Sequence, residues 1–107
     1  MKEKEFFKIL GKGGHDRLRV RLEIDKGELI NIVVQYESFI NNRWRAIVRY
    51  DIEHGFFHRD IMTPKGEKIK TPIDIHDLNS AIIYAEQDIK DKWEYYKRKY
   101  IKRLKND

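Results

Sequence analysis

Arg17-Leu18-Arg19-Val20-Arg21-Leu22-Glu23-Ile24 alternates charged and apolar side chains at every step. A period of two puts Leu18, Val20, Leu22 and Ile24 on one side of an extended chain and the charges on the other, which reads as a half-buried strand. Asp25-Lys26-Gly27-Glu28 then turns the chain. A second alternation follows, with Ile30, Ile32, Val34, Tyr36 and Ile40 opposed by Asn31, Gln35 and Glu37, and Asn41-Asn42 closes it with a second turn. In the third strand Trp44, Ala46, Val48 and Tyr50 are expected on the core side, with Arg45, Ile47, Arg49 and Asp51 on the other.

Glu53-His54-Gly55 is a third turn. A fourth strand from Phe56 to Met62 and a short fifth from Lys68 to Thr71 are linked by Thr63-Pro64-Lys65-Gly66-Glu67, which has good turn chemistry. Loops this short join antiparallel neighbours, so residues 17–71 read as a meander of four or five strands, apolar on one face and lined by arginine on the other. Upstream, residues 2–10 fit either a short helix or an edge strand. Gly11-Lys12-Gly13-Gly14 lacks the spacing and the Lys-Ser/Thr ending of a phosphate loop and reads as a connector.

Past Pro72 the period becomes helical. Leu78, Ile82, Ala85, Ile89, Trp93, Tyr96, Tyr100 and Leu104 form one stripe of three- and four-residue steps, with Asp74 or Asp77 available as N-cap. At ~1.5 Å per residue the stripe from Leu78 to Leu104 spans roughly 40 Å, within a helix expected over 74–105. Its C-terminal third is therefore expected to project or to meet a partner, and a homodimer through this helix is one form of that. Residues 74–94 hold six acids (Asp74, Asp77, Glu86, Asp88, Asp91, Glu94) against Lys90 and Lys92, and residues 95–107 hold six bases against Asp107, the order the helix dipole favours. The fold expected is α+β, a single domain over 1–107: an antiparallel β-meander of four or five strands packed against one long C-terminal α-helix.

The 107 residues include no cysteine, which excludes disulfides, thiolate metal sites and a cysteine nucleophile. No apolar run approaches the ~20 residues of a membrane span. The opening Met1-Lys2-Glu3-Lys4-Glu5 does not resemble a signal peptide, so a cytoplasmic protein with no membrane contact is expected. A net charge of +5 favours an anionic partner such as RNA or another nucleic acid, and equally serves solubility.

The densest titratable stretch is Arg49-Tyr50-Asp51-Ile52-Glu53-His54-Gly55-Phe56-Phe57-His58-Arg59-Asp60, with two of the four histidines. His58 and Asp60 lie two apart on a strand and share a face, and a tight turn could return His54 and Asp51 toward them. Cleavage of RNA through its own 2′-hydroxyl needs a base, an acid and cations on the phosphate. His54 and His58 fit the first two roles, with Asp51 or Asp60 orienting them, and Arg49 and Arg59 fit the third. The same set could hold a divalent metal at open coordination, or could be cross-strand ion pairs around a turn; no cofactor or metal is assigned.

Two further surfaces suit a polyanion. Arg17, Arg19 and Arg21 with Arg45 and Arg49, joined by Arg59 of the fourth strand, would make a basic plane for phosphates, or else a solvated face or a surface docked on acidic residues of a partner. The helix end, Trp93-Glu94-Tyr95-Tyr96-Lys97-Arg98-Lys99-Tyr100-Ile101-Lys102-Arg103, interleaves aromatics and bases as single-stranded nucleic-acid sites do. Trp93, Tyr96 and Tyr100 continue the core stripe, leaving Tyr95 as the aromatic expected in solvent.

Arg49-Tyr50-Asp51, His54-Gly55 and His58-Arg59-Asp60 resemble an uncharacterised family of roughly 100-residue archaeal and bacterial proteins with a strand-rich body and a long C-terminal helix, over residues 17–101. The Arg-Tyr-Asp and the turn bearing histidines also resemble the TumE-type toxins of toxin–antitoxin pairs, although His58-Arg59-Asp60 replaces their His-x-His pair. That resemblance implies a small RNA-directed toxin neutralised by an antitoxin-like protein partner. The leading expectation is thus an RNA-acting protein of toxin type, a metal-independent endoribonuclease. The alternative is a non-catalytic module binding nucleic acid or protein through the arginine face and the basic helix end.

Overall fold

A computed structural model describes residues 1–106, and Asp107 lies outside the described residues. Strands β1 (Lys2–Ile9), β2 (Asp16–Asp25), β3 (Glu28–Ile40), β4 (Arg43–Asp51), β5 (His58–Met62) and β6 (Lys68–Pro72) form one sheet in sequence order, every neighbour antiparallel. A single 3-10 turn, Glu53–Gly55, joins β4 to β5, and the helix α1 (Leu78–Asn106) covers one face. The α+β meander with its long helix is therefore the fold, with six strands rather than four or five.

The added strand is β1. Its apolar residues do not keep to one side, so its partner identifies it: Glu3 and Glu5 reach Arg21 and Arg19 of β2 at 2.9 and 3.1 Å. Charges along an exposed edge strand also discourage pairing with another chain. The hairpin turns follow local chemistry. Lys26-Gly27 and Asn41-Asn42 all take positive φ, as two-residue hairpin loops require.

Two bulges move side chains from their expected sides. Glu23 pairs with Asn31 but Ile24 with Leu29, so Ile30 is the extra residue and is 39% exposed, while Leu29 packs against the core in its place. Tyr36 pairs with Val48 but Glu37 with Ala46, making Ile47 the extra residue of β4. Each extra residue reverses the alternation beyond it. Trp44 and Ala46 therefore turn to the open face, and Ile47 joins the buried core.

The covered face buries Leu18, Val20, Ile32, Val34, Tyr36, Val48 and Tyr50 under Ala81, Ala85, Ile89, Tyr96 and Tyr100 of α1. The small side chains of Ala81 and Ala85 let the helix approach the sheet closely. Asp77 is the N-cap, its carboxylate accepting the Ser80 N–H at 3.1 Å. The 29 residues of α1 and the 13 of β3 have similar lengths, about 43 Å each. Burial accordingly continues to Tyr100, so the overhang is shorter than a third of the helix. Among the described residues no helix is long and apolar enough to cross a membrane.

Gly11 joins the connector to the core. Its φ is +68°, and a Cβ there would lie 2.8 Å from Cζ2 of Trp93. Gly11→Ala is expected to cost about 1–3 kcal/mol in chemical denaturation, from left-handed backbone strain plus displacement of a partly buried indole. A change within about 0.5 kcal/mol would show that neither constraint is real.

Candidate functional site

Register brings three side chains of the β4–β5 hairpin together. Asp51 pairs with His58 and Arg49 with Asp60, so all four point to the open face, away from α1. His58 Nε2 lies 2.9 Å from Asp51 Oδ1 and 3.4 Å from Asp60 Oδ2, and His58 is 0% exposed, with both carboxylates also buried. Its other ring nitrogen, Nδ1, is 3.1 Å from the Phe56 carbonyl, which can only accept, so that contact holds the ring with Nδ1–H and turns Nε2 toward the carboxylates.

Partners surround the cluster. Asp51 Oδ2 accepts from Arg49 Nε at 2.7 Å, and Asp51 Oδ1 accepts from the Glu53 N–H at 3.0 Å. Burial pushes the Asp51 carboxyl up, but Arg49, the Glu53 N–H and His58 outweigh it and hold the group below the ordinary carboxylate range. Lys70 of β6, directly across from Asp60, places Nζ 3.0 Å from His58 Nε2 and 3.4 Å from Asp60 Oδ1. The pairing of β6 with β5 is what recruits Lys70, and only the alternation of that short hairpin hinted at it.

The other expected site residues are elsewhere. His54, with φ of 70°, stands exposed on the 3-10 turn and makes no hydrogen bond, ion pair or ring contact among the described residues. Arg59 alternates to the helix side, where its Nη1 reaches the Tyr96 hydroxyl at 3.4 Å. Tyr96 and Tyr50 each donate to Asp88 Oδ2 at 2.6 Å, so Arg59 belongs to the polar contact that docks α1. Burial, followed by the Asp88 carboxylate, pushes both phenols well above their ordinary pKa. Arg45, reversed by the bulge, pairs with Ser38 and donates to the Ile40 carbonyl at 2.9 Å. Neither arginine faces Arg49.

The arginine face is not a basic plane. Arg19 and Arg21 are tied to Glu5 and Glu3, and Arg17 Nε donates to Glu37 at 2.8 Å with its guanidinium 3.9 Å from the Trp44 ring centroid. Glu37 continues to Gln35 at 2.6 Å, and Gln35 to Arg49 at 3.4 Å. Opposite charges thus alternate across all six strands, from Glu5 to Lys70. The groove beside Asp51, about 470 Å³, has Glu23, Asp51 and Glu53 in its wall against Arg49, a poor setting for phosphate.

Free cations gather instead on the end of α1. Among the described residues Arg98, Lys99, Lys102, Arg103 and Lys105 have no acidic partner, whereas Lys97 is held by Asp16 at 3.0 Å. Arg98, Lys99, Lys102 and Arg103 line a groove of about 590 Å³ with Tyr95 and Asn106. Tyr95 is 46% exposed, and Lys99 Nζ sits 5.4 Å from its ring centroid. The expectation of one solvent-facing aromatic among these bases agrees with its placement.

A family model described as a domain of unknown function (DUF7718) matches residues 1–106. No curated protein and no solved structure matches the chain.

Proposed function

The chain belongs to the DUF7718 family, and we propose that it is a nucleic-acid-binding module that grips single-stranded RNA through the basic end of α1. The observation that carries this reading is the run of cations without acidic partners around exposed Tyr95. Cations take up backbone phosphates and the phenol ring stacks a base, so affinity depends on salt and little on sequence. A cytoplasmic setting, where RNA is at hand, is part of the same reading.

The test is fluorescence anisotropy of a labelled single-stranded RNA across a salt series, with wild type and the triple variant Lys99→Glu/Lys102→Glu/Arg103→Glu. The variant is expected to bind about 10-fold more weakly or worse, with a log–log salt slope shallower by about 2. These positions lie off the buried stripe, so its thermal midpoint should stay near wild type. Affinity indifferent to salt would sink the reading.

A toxin-type endoribonuclease restrained by an antitoxin-like partner is the second reading, favoured by the convergence of His58 with two carboxylates. His54 is exposed on the turn and makes no contact with His58 among the described residues, so in this reading the two rings act from either side of the bound phosphate rather than as a touching pair. Cleavage of the same RNA in EDTA that is lost in His54→Ala/His58→Asn would establish the two rings as the acid–base pair. Binding without cleavage leaves the module.

A further inference from the structure

We propose that Asp51, His58 and Asp60 form a binding site for one first-row divalent cation, of the Mn²⁺ or Zn²⁺ kind, and that Lys70 guards it. The site is separate from the basic helix end, and the proposal does not rest on RNA binding.

The donor geometry carries the argument. Two ligands at ~2.1 Å from one ion are about 3.0 Å apart at a right angle and about 3.4 Å apart at the tetrahedral angle. The Asp51 Oδ1 to His58 Nε2 and His58 Nε2 to Asp60 Oδ2 separations are 2.9 and 3.4 Å, and the three donors lie within 4.8 Å of one another. With Nε2 deprotonated, as metal ligation requires, all three present lone pairs. The Phe56 carbonyl holds Nδ1–H and so directs Nε2 inward, and Arg49 and the Glu53 N–H orient Asp51, an arrangement of outer partners typical of metal ligands.

A second observation comes from Asp60. Its Oδ1 is buried with no hydrogen-bond partner among the described residues, and only the Lys70 ammonium approaches it, at 3.4 Å. A carboxylate oxygen left so in a side chain 2% exposed calls for a cation. Lys70 supplies one charge from a flexible stem whose side chain is 36% exposed. Its Nζ therefore stands where a metal would compete, and moving it into water opens the site. One imidazole with two carboxylates suits Mn²⁺ or Zn²⁺ better than the all-oxygen set preferred by Mg²⁺ or Ca²⁺.

The experiment is isothermal titration of chelator-treated protein with ZnCl₂ or MnCl₂, with elemental analysis after desalting. Wild type is expected to take up one ion per chain. Asp60→Asn, nearly isosteric, should weaken binding about 100-fold or more, while Lys70→Met, which keeps every ligand, should tighten it about 10-fold by removing a competing cation. His76→Ala, which removes the exposed pair with Asp74, should change nothing. Circular dichroism confirms folding, and should Asp60→Asn unfold, Lys70→Met alone decides by whether affinity rises. No saturable uptake by wild type, uptake untouched by Asp60→Asn in a folded chain, or affinity not raised by Lys70→Met would overturn the proposal.

Discussion

Ile89→Ala is expected to lower the stability of the chain by about 2–5 kcal/mol, seen as a fall in the urea midpoint with the slope of the transition unchanged. Ile89 is 0% exposed in the middle of α1, on the stripe that lies against the sheet. Truncation removes apolar contacts and leaves a cavity. Ala85 one turn away is already minimal, so it has no side chain to swing into the space, and the strands beneath are held by their ladders. Ile83, 70% exposed on the same helix, is the internal control: Ile83→Ala should cost about 0.5 kcal/mol or less. Equal effects at the two positions would mean that α1 does not pack on the sheet by this stripe.

Asp16→Ala should cost about 2–4 kcal/mol, because one buried carboxylate serves three donors. Tyr36 and Ser38 donate hydroxyl protons to Oδ1 at 2.6 and 2.7 Å, and Lys97 reaches Oδ2 at 3.0 Å. Lys97 is partly exposed and can turn to water, so most of the loss falls on the two hydroxyls left without an acceptor. Asp16→Asn keeps one acceptor oxygen and should lose less. Burial raises the Asp16 carboxyl pKa, but Tyr36, Ser38 and Lys97 outweigh it, and the folded value lies below the ordinary carboxylate range. A depressed folded pKa contributes stability above the unfolded pKa and loses it as pH falls through the folded one. Stability measured from pH 6 down through about pH 4 to pH 2 should therefore fall less steeply in Asp16→Asn than in wild type. Parallel acid limbs would remove Asp16 from the set of groups that drive acid unfolding.

Several parts of the site were legible in the residues. His58 and Asp60 had to share a face because they are two apart on a strand, and Tyr95 had to leave the core because it lies off the helical stripe. His54 could not be placed the same way: whether a turn residue folds back depends on its φ, here +70°, and on which side of the hairpin has room. Arg59 was drawn to the phosphate reading by its neighbours in sequence, yet alternation sends it to Tyr96 on the other face. The acids that neutralise Arg17, Arg19 and Arg21 come from β1 and β3, up to 20 residues away.

Strand alternation, turn residues and helical periodicity depend on near neighbours in the chain, and from them alone follow the α+β class, the hairpin order and the long covering helix. The bulge that reverses Arg45, the ladder of opposite charges over the open face and the approach of Lys70 to His58 and Asp60 depend on which residue stands across from which. That is set only when whole strands dock and one extra residue shifts the register. The chemistry of the open face was therefore decided by pairing between strands, and a list of its charged residues could not disclose it.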